Sequence, residues 1–187
     1  MSGAGQNEGM KRTLLSSLAM VLLVACGGCS EITGILNPGW RVTTSVDEMT
    51  GARRAYATSP RVGPTESMDF PYGDTEAWMG FGCDRSSEWA YIGFSVAPNL
   101  VNDETQDGYS TSESRVRWDD RLERTGFSQT WGEAALHFRL DAPAIDNMQA
   151  ANTALIEVAW YGEGTVLFEF SLKGSSAAIA EAGGTCN

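Results

Sequence analysis

The sequence predicts a mainly β domain, an antiparallel β-sandwich with two short helices. Three observations carry this. Apolar and polar residues alternate with period two through most of the chain after residue 40. The alternating stretches are short and separated by clusters of Gly, Pro, Asn, Asp and Ser. Only two segments, both near the C-terminus, space their apolar residues as a helix does.

Taken in order, Trp40, Val42, Thr44 and Val46 alternate with polar neighbours as a half-buried strand, and Asp47-Glu48-Met49-Thr50-Gly51 turns the chain. Arg53 to Ser59 is the hairpin return. Pro60 to Asp74, with three prolines and two glycines, is a loop. Ala77 to Cys83 and Glu88 to Ser95 form a hairpin about the polar turn Asp84-Arg85-Ser86-Ser87. Pro98 to Ser114 is polar and acidic and reads as a long loop. Ser114 to Asp119, Phe127 to Trp131 and Ala134 to Leu140 are further strands. Pro143 to Asn152 has Ala144, Ile145, Met148 and Ala151 at helical spacing, with Asp141 as its N-cap and Pro143 in the first turn. Ala154 to Tyr161 and Thr165 to Lys173 pair about Gly162-Glu163-Gly164, and Ser175 to Ala182 is a short helix. No internal repeat or low-complexity tract interrupts this order.

The 187 residues suffice for one hydrophobic core. With 42% hydrophobic residues and six Trp, the chain lies far from a disordered composition. Thirteen basic against 24 acidic residues leave a formal charge of −11. That argues against a nucleic-acid partner, because such affinity rests on neutralising phosphates with cations.

Lys11 and Arg12 precede an apolar run from Thr13 to Ala25, the layout of a secretory signal peptide. The run is too short to span a bilayer, since Gly27, Gly28 and Ser30 follow at once. Met10 directly before Lys11 is read as the natural start, with nine residues as an extension ahead of it. The run ends in Leu23-Val24-Ala25-Cys26, which resembles the lipobox of bacterial lipoproteins. That resemblance implies cleavage before Cys26, diacylation of its thiol and acylation of the new amino terminus, which gives a lasting membrane anchor. Cleavage after Ala25 as an ordinary signal peptide and lipidation at Cys29 are the alternatives. Gly27 after Cys26 points to the outer membrane by the enteric sorting rule. The expected organisation is residues 1–25 as extension and signal peptide, 26–39 as lipidated tether and 40–187 as the β-sandwich domain. Loss of Glu8, Lys11 and Arg12 leaves 11 basic and 23 acidic residues, a net charge of −12.

With Cys26 assigned to lipid, Cys29, Cys83 and Cys186 remain, and in an exported protein two should pair. Cys83 ends an apolar strand pattern and Cys186 is the penultimate residue, whereas Cys29 lies in the tether beside the anchor. The expected bridge is Cys83–Cys186; three free thiols, or an intermolecular role for Cys29, are the alternatives.

A further resemblance rests on several segments: Ser45-Val46-Asp47-Glu48-Met49-Thr50-Gly51 after a strand with Trp40; Met79-Gly80-Phe81-Gly82-Cys83 with Glu88-Trp89-Ala90-Tyr91-Ile92-Gly93-Phe94; Val116-Arg117-Trp118-Asp119; and Phe168-Glu169-Phe170-Ser171-Leu172-Lys173-Gly174 before the last helix and cysteine. In order and spacing these resemble the VasI-type accessory proteins of type VI secretion clusters, from Trp40 to Cys186. The resemblance implies an envelope location, a shared fold and the same cysteine pairing, and it implies no enzyme. Trp118, where the family has Phe, and the longer segment from Pro98 to Ser112 depart from the pattern.

Candidate chemistry is sparse. His137 is the only histidine and lacks a partner serine elbow or matched cysteine, so it reads as a core or surface imidazole. Asp119 and Asp120 are adjacent, which on a strand would turn them to opposite faces, and they read as solvated turn residues. Asp103-Glu104-Thr105-Gln106-Asp107-Gly108 is part of a calcium-loop pattern, but Ser114 stands where the bidentate Glu belongs. No zinc spacing and no phosphate-binding glycine loop is present. Trp78, Trp89, Trp118, Trp131 and Trp160 lie in strand patterns and are expected in the core rather than on a sugar-stacking platform. The sequence therefore predicts no catalytic, cofactor or metal site. It predicts a non-enzymatic, lipid-anchored accessory module that binds a protein partner in the bacterial cell envelope. The alternative is an inhibitor or immunity protein whose charge steers it to a cationic hydrolase.

Overall fold

The computed structural model describes residues 39–186 except 102 and 107; the expected signal peptide, Cys26, Cys29 and most of the expected tether lie outside them. Its strands are β1 (Arg41–Val46), β2 (Arg53–Thr58), β3 (Ala77–Asp84), β4 (Glu88–Phe94), β5 (Asp103–Gln106), β6 (Tyr109–Trp118), β7 (Arg121–Thr130), β8 (Ala135–Phe138), β9 (Thr153–Trp160) and β10 (Gly164–Ser171). Helix α1 (Asp141–Ala150) and helix α2 (Ser175–Cys186) complete it.

All ten strands belong to one antiparallel sheet in the order β1-β2-β3-β4-β8-β7-β6-β9-β10, with β5 attached to β6. The sheet curls in sandwich fashion, and the loop after β2 joins its two flanks. Val62 bridges Ala77 of β3, Pro64 bridges Phe168 of β10, and the Thr65 N–H donates to the Leu167 carbonyl at 2.8 Å. The inner surface is thus one continuous core. β9 alternates strictly, burying Ala154, Ile156, Val158 and Trp160. Beside them lie Phe168 and Phe170 of the neighbouring β10, and Phe81 of β3 and Phe94 of β4 fill the same core. The aromatic rings meet edge to face, Phe94 with Trp160 at 5.8 Å and Phe127 with Phe138 at 4.9 Å.

Helix α2 covers the inner face of β1 to β3. Ala55 and Ala57 on β2 are fully buried beneath it, small enough to let the helix approach, and Ala178, Ile179 and Ala182 face them. The helix runs past the expected end at Ala182, through Gly183 and Gly184, to Cys186. There the Cys83–Cys186 disulfide fastens it to β3, with Cα atoms 6.1 Å apart and 103 residues of separation. No helix among the described residues is long and apolar enough to cross a membrane.

Three elements differ from expectation. The segment from Pro98 to Ser114 is not all loop, since it holds β5 and the first half of β6. Its inward residues there are Ser110 and Ser112, buried but polar, so no apolar period marks the strand. β7 begins at Arg121 rather than Phe127, because the β6–β7 hairpin turns at Asp119 and Asp120 and its first turns of strand are exposed. Asp141 is the first residue of α1, not its N-cap. Leu140 holds that position without a side-chain bond, and the Asp141 carboxylate instead accepts the Ala90 N–H of β4 at 2.9 Å. The β4–β8 ladder stops at Tyr91, so the carboxylate takes over where the strand partner ends.

Candidate interaction site

Antiparallel pairing places five connections at one end of the sheet: the β2–β3 loop, the β4–β5 loop, the β5–β6 turn, the β7–β8 turn and the β9–β10 turn. This end carries Phe70, Val96, Val101, Tyr109, Trp131 and Tyr161, all exposed large apolar residues. Phe70 is 98% exposed and Trp131 86%, far beyond a strand residue grazing solvent. Exposed carboxylates at Glu66, Asp69 and Asp74 lie in the same β2–β3 loop.

The loops that carry these side chains are fastened to the body. The Asp69 N–H donates to Glu163 Oε2 at 3.0 Å, and the Tyr161 N–H to the Asn99 carbonyl at 2.7 Å. Val101 donates its N–H to the Ala159 carbonyl at 3.1 Å. Tyr72 lies edge-on to buried Trp160, with ring centres 5.3 Å apart. Buried Gln129 donates from Nε2 both to the Pro98 carbonyl at 3.1 Å and to the Glu133 carbonyl at 2.8 Å, tying two loops together. Loop backbone held this way has little freedom left to lose on contact with another surface, which lowers the entropic cost of binding.

A second surface lies on the outer side of β1 to β4 and β8. There Trp78, Trp89, Tyr91 and Tyr56 are half-buried rather than in the core. Each of three rings lies over its cross-strand partner: Trp78 over Gly93, Tyr91 over Gly80 and Trp89 over Gly82. Arg61 places its guanidinium 4.5 Å from the centre of the Trp78 ring and pairs with Glu76 at 3.1 Å. Burial pushes the Tyr91 hydroxyl up to about 12.

The predicted tryptophans therefore divide. Trp118 and Trp160 are core residues, as is Trp40; Trp78 and Trp89 line the outer face; Trp131 is not in a strand at all and stands in solvent. The period-two pattern cannot tell the two faces of a curled sheet apart. A readable signal existed in Trp78-x-Gly80-x-Gly82 and Trp89-x-Tyr91-x-Gly93, because antiparallel pairing of these triplets sets every ring opposite a glycine.

His137 lies on β8, outward and half-buried, with Nε2 3.1 Å from Glu133 Oε1 and its ring 6.1 Å from Tyr91. Asp119 sits in the β6–β7 turn and is not merely solvated, since its carboxylate accepts the Asn152 and Thr153 N–H groups. Asp120 is exposed beside it. Asp103 and Glu104 lie on β5, Asp107 is outside the described residues, and no three His, Cys, Asp or Glu side chains among the described residues converge to hold a metal. Cys83 and Cys186 are joined as expected.

No family model matches the chain, and no curated protein matches it. Among solved structures it is similar to invasion associated protein B from Bartonella henselae, at 14% identity over 78% of this chain and 92% of that one, with a TM-score of 0.49.

Proposed function

We propose that the chain is a non-enzymatic envelope protein, anchored by lipid at Cys26, that docks a protein partner on the loop end of its β domain. The observation that carries this reading is the exposed apolar rim from Phe70 to Tyr161 on fastened loops. Interfaces are enriched in Trp, Tyr and Phe, and a few such anchors dominate binding energy. The lipobox supports the anchor, and Gly27 after Cys26 supports the outer-membrane placement. The VasI-type resemblance supports the finer reading, an accessory role beside a type VI secretion apparatus.

The alternative partner is a basic hydrolase that the protein inhibits. It is favoured by the carboxylates Glu66, Asp69 and Asp74 in the loop that carries Phe70. One experiment separates these readings. A photo-crosslinking residue replaces Trp131 in the native host, with Lys173 as the control position, and the adducts and intact mass are read together. Secretion-apparatus subunits crosslinked from 131 but not from 173, on a protein with triacylated Cys26, support the accessory reading. A single basic hydrolase supports the inhibitor reading. No adduct specific to position 131, or an unlipidated mass, removes the corresponding part of the proposal.

A further inference from the structure

The outer face of β1 to β4 carries an aromatic strip laid on three glycines. A Cβ at Gly82 would lie 2.4 Å from Cε2 of Trp89 and 2.5 Å from both its Cζ2 and Nε1. At Gly93 the corresponding distances to Trp78 are 2.3, 2.5 and 2.5 Å, and at Gly80 the Cζ, Cε1 and Oη atoms of Tyr91 lie within 2.6 Å. In each case the middle of three bonded atoms is the nearest, which an approach in the ring plane would not give, so the ring plane faces the glycine. All three rings therefore lie face-down on the sheet; the outward face of Trp78 is covered by Arg61, and those of Trp89 and Tyr91 turn away from the sheet.

The strip continues at its β1 side into a groove of about 760 Å³, lined by Trp40, Arg41, Thr58, Pro60, Arg61 and Trp78. Arg41, Thr58 and Gly80 stand side by side across three strands, so the Arg41 Cα lies roughly 10 Å, two strand spacings, from the glycine under Tyr91. Arg41 is exposed and makes no ion pair among the described residues. Arg61 is paired with Glu76, so in a chain with a formal charge of −11 the unpaired Arg41 at this groove singles out an anionic group as its occupant.

We propose that this surface binds a carboxylated glycan of the bacterial cell wall, its sugar rings lying on Tyr91 and Trp89 and a carboxylate held by Arg41. Flat rings match the C–H face of a pyranose. A polyproline segment, by contrast, docks through rings and backbone carbonyls and brings no anionic group to Arg41. The Arg61–Glu76 pair beside Trp78 presents planar donors and acceptors of the kind that engage adjacent hydroxyls two at a time. The choice of a cell-wall glycan rests on the envelope reading above; the rings, the groove and Arg41 do not.

The test uses the full chain, titrated with three probes and followed by tryptophan fluorescence and calorimetry. The probes are a tetrasaccharide alternating N-acetylglucosamine with N-acetylmuramic acid, neutral chitotetraose and a decaproline peptide. The muramyl tetrasaccharide is expected to saturate binding at least tenfold more tightly than chitotetraose. Arg41→Ser should erase that difference while leaving the melting temperature unchanged. Trp89→Phe, checked for folding by its melting temperature, should weaken both glycans together. Binding of neither glycan, equal binding unaffected by Arg41→Ser, or binding of decaproline alone overturns the proposal. Glycan binding and the intact mass at Cys26 are read separately, so a failed glycan site with triacylated Cys26 leaves the envelope reading standing. An unlipidated chain that still binds does the reverse.

Discussion

The Asp119 carboxylate, in the turn between β6 and β7, accepts the backbone N–H of Thr153 at 2.9 Å, and the Asp119 N–H donates to the Thr153 carbonyl at 3.0 Å. Asp119 also takes the Asn152 N–H at 3.0 Å, so one turn residue ties the β6–β7 hairpin to the point where α1 gives way to β9. It does so from a left-handed conformation, φ 49°, that Asp and Asn tolerate better than most residues.

Asp119→Ala should lower the melting temperature, and Asp119→Asn should lower it less, because Asn keeps an acceptor and the tolerance of positive φ. The backbone N–H of Asn152 is the main reason the Asp119 carboxyl lies below its ordinary value. A folded-state value below the unfolded one gives stability that is present above the ordinary carboxylate range and lost as pH falls through the folded value. The acid limb of a melting-temperature profile should therefore be shallower in Asp119→Asn than in the wild type. Superimposable acid limbs would show that the contact contributes nothing.

The disulfide should be the largest single covalent contribution to stability. Joining Cys83 to Cys186 across 103 residues constrains the unfolded chain by about 4.7 kcal/mol in the chain-entropy model. A Cys83→Ala, Cys186→Ala double variant should unfold at markedly lower denaturant concentration. Its helix α2 should exchange amide hydrogens first, since the bridge is what fastens the C-terminus to β3. Unfolding at the wild-type midpoint would contradict this.

Gly82→Ala should destabilise the domain although alanine suits a strand better than glycine. The new Cβ meets the Trp89 ring at 2.4 Å. Overpacking of that kind costs about 1–3 kcal/mol, which exceeds the 0.5–1 kcal/mol that removing a strand glycine returns. Gly63→Ala, where a Cβ meets nothing within 4 Å, is the control and should be neutral or slightly stabilising. Denaturant midpoints of both variants decide the matter.

Tyr91 should make stability fall at alkaline pH. Burial raises its hydroxyl from 10.0 to about 12. Between those values the folded state holds a proton that the unfolded state has released, so stability is intact below pH 10 and declines as pH rises towards 12. Tyr91→Phe should flatten the decline; an unchanged alkaline limb would place its origin elsewhere.

Gln129→Met should loosen the loop end without disturbing the fold. The side chain is nearly isosteric, but the Pro98 and Glu133 carbonyls lose their shared donor. Leaving such groups unpaired costs about 1–3 kcal/mol. Hydrogen exchange should rise in the β4–β5 loop and the β7–β8 turn, and partner crosslinking from position 131 should fall with it. Trp131→Ser, by contrast, should leave the melting temperature unchanged, because its ring touches mainly solvent.

The sequence by itself determined the elements whose information is local. The hairpins β3–β4 and β9–β10 were legible because side chains alternate with period two and the intervening turns carry their own chemistry: Asp84 accepting the Ser86 and Ser87 N–H groups, and Gly162 and Gly164 at positive φ. The Cys83–Cys186 bridge, expected from the reading of an exported chain with Cys26 given to lipid, is present. The first half of β6 was not legible, because Ser110 and Ser112 are buried by tertiary position rather than by their own hydrophobicity. Only the tertiary structure decided which side of each strand became core. Alternation defines two faces but leaves them equivalent until the sheet curls. The curl sent Phe81 and Phe168 inward, left Trp78, Tyr91 and Trp89 lying on glycines outside, and set Trp131 beyond the end of its strand. It also gathered Phe70, Trp131 and Tyr161, up to 91 residues apart in the chain, on one end of the sheet. Such proximity is a property of antiparallel pairing over long separations, and no local pattern of residues records it.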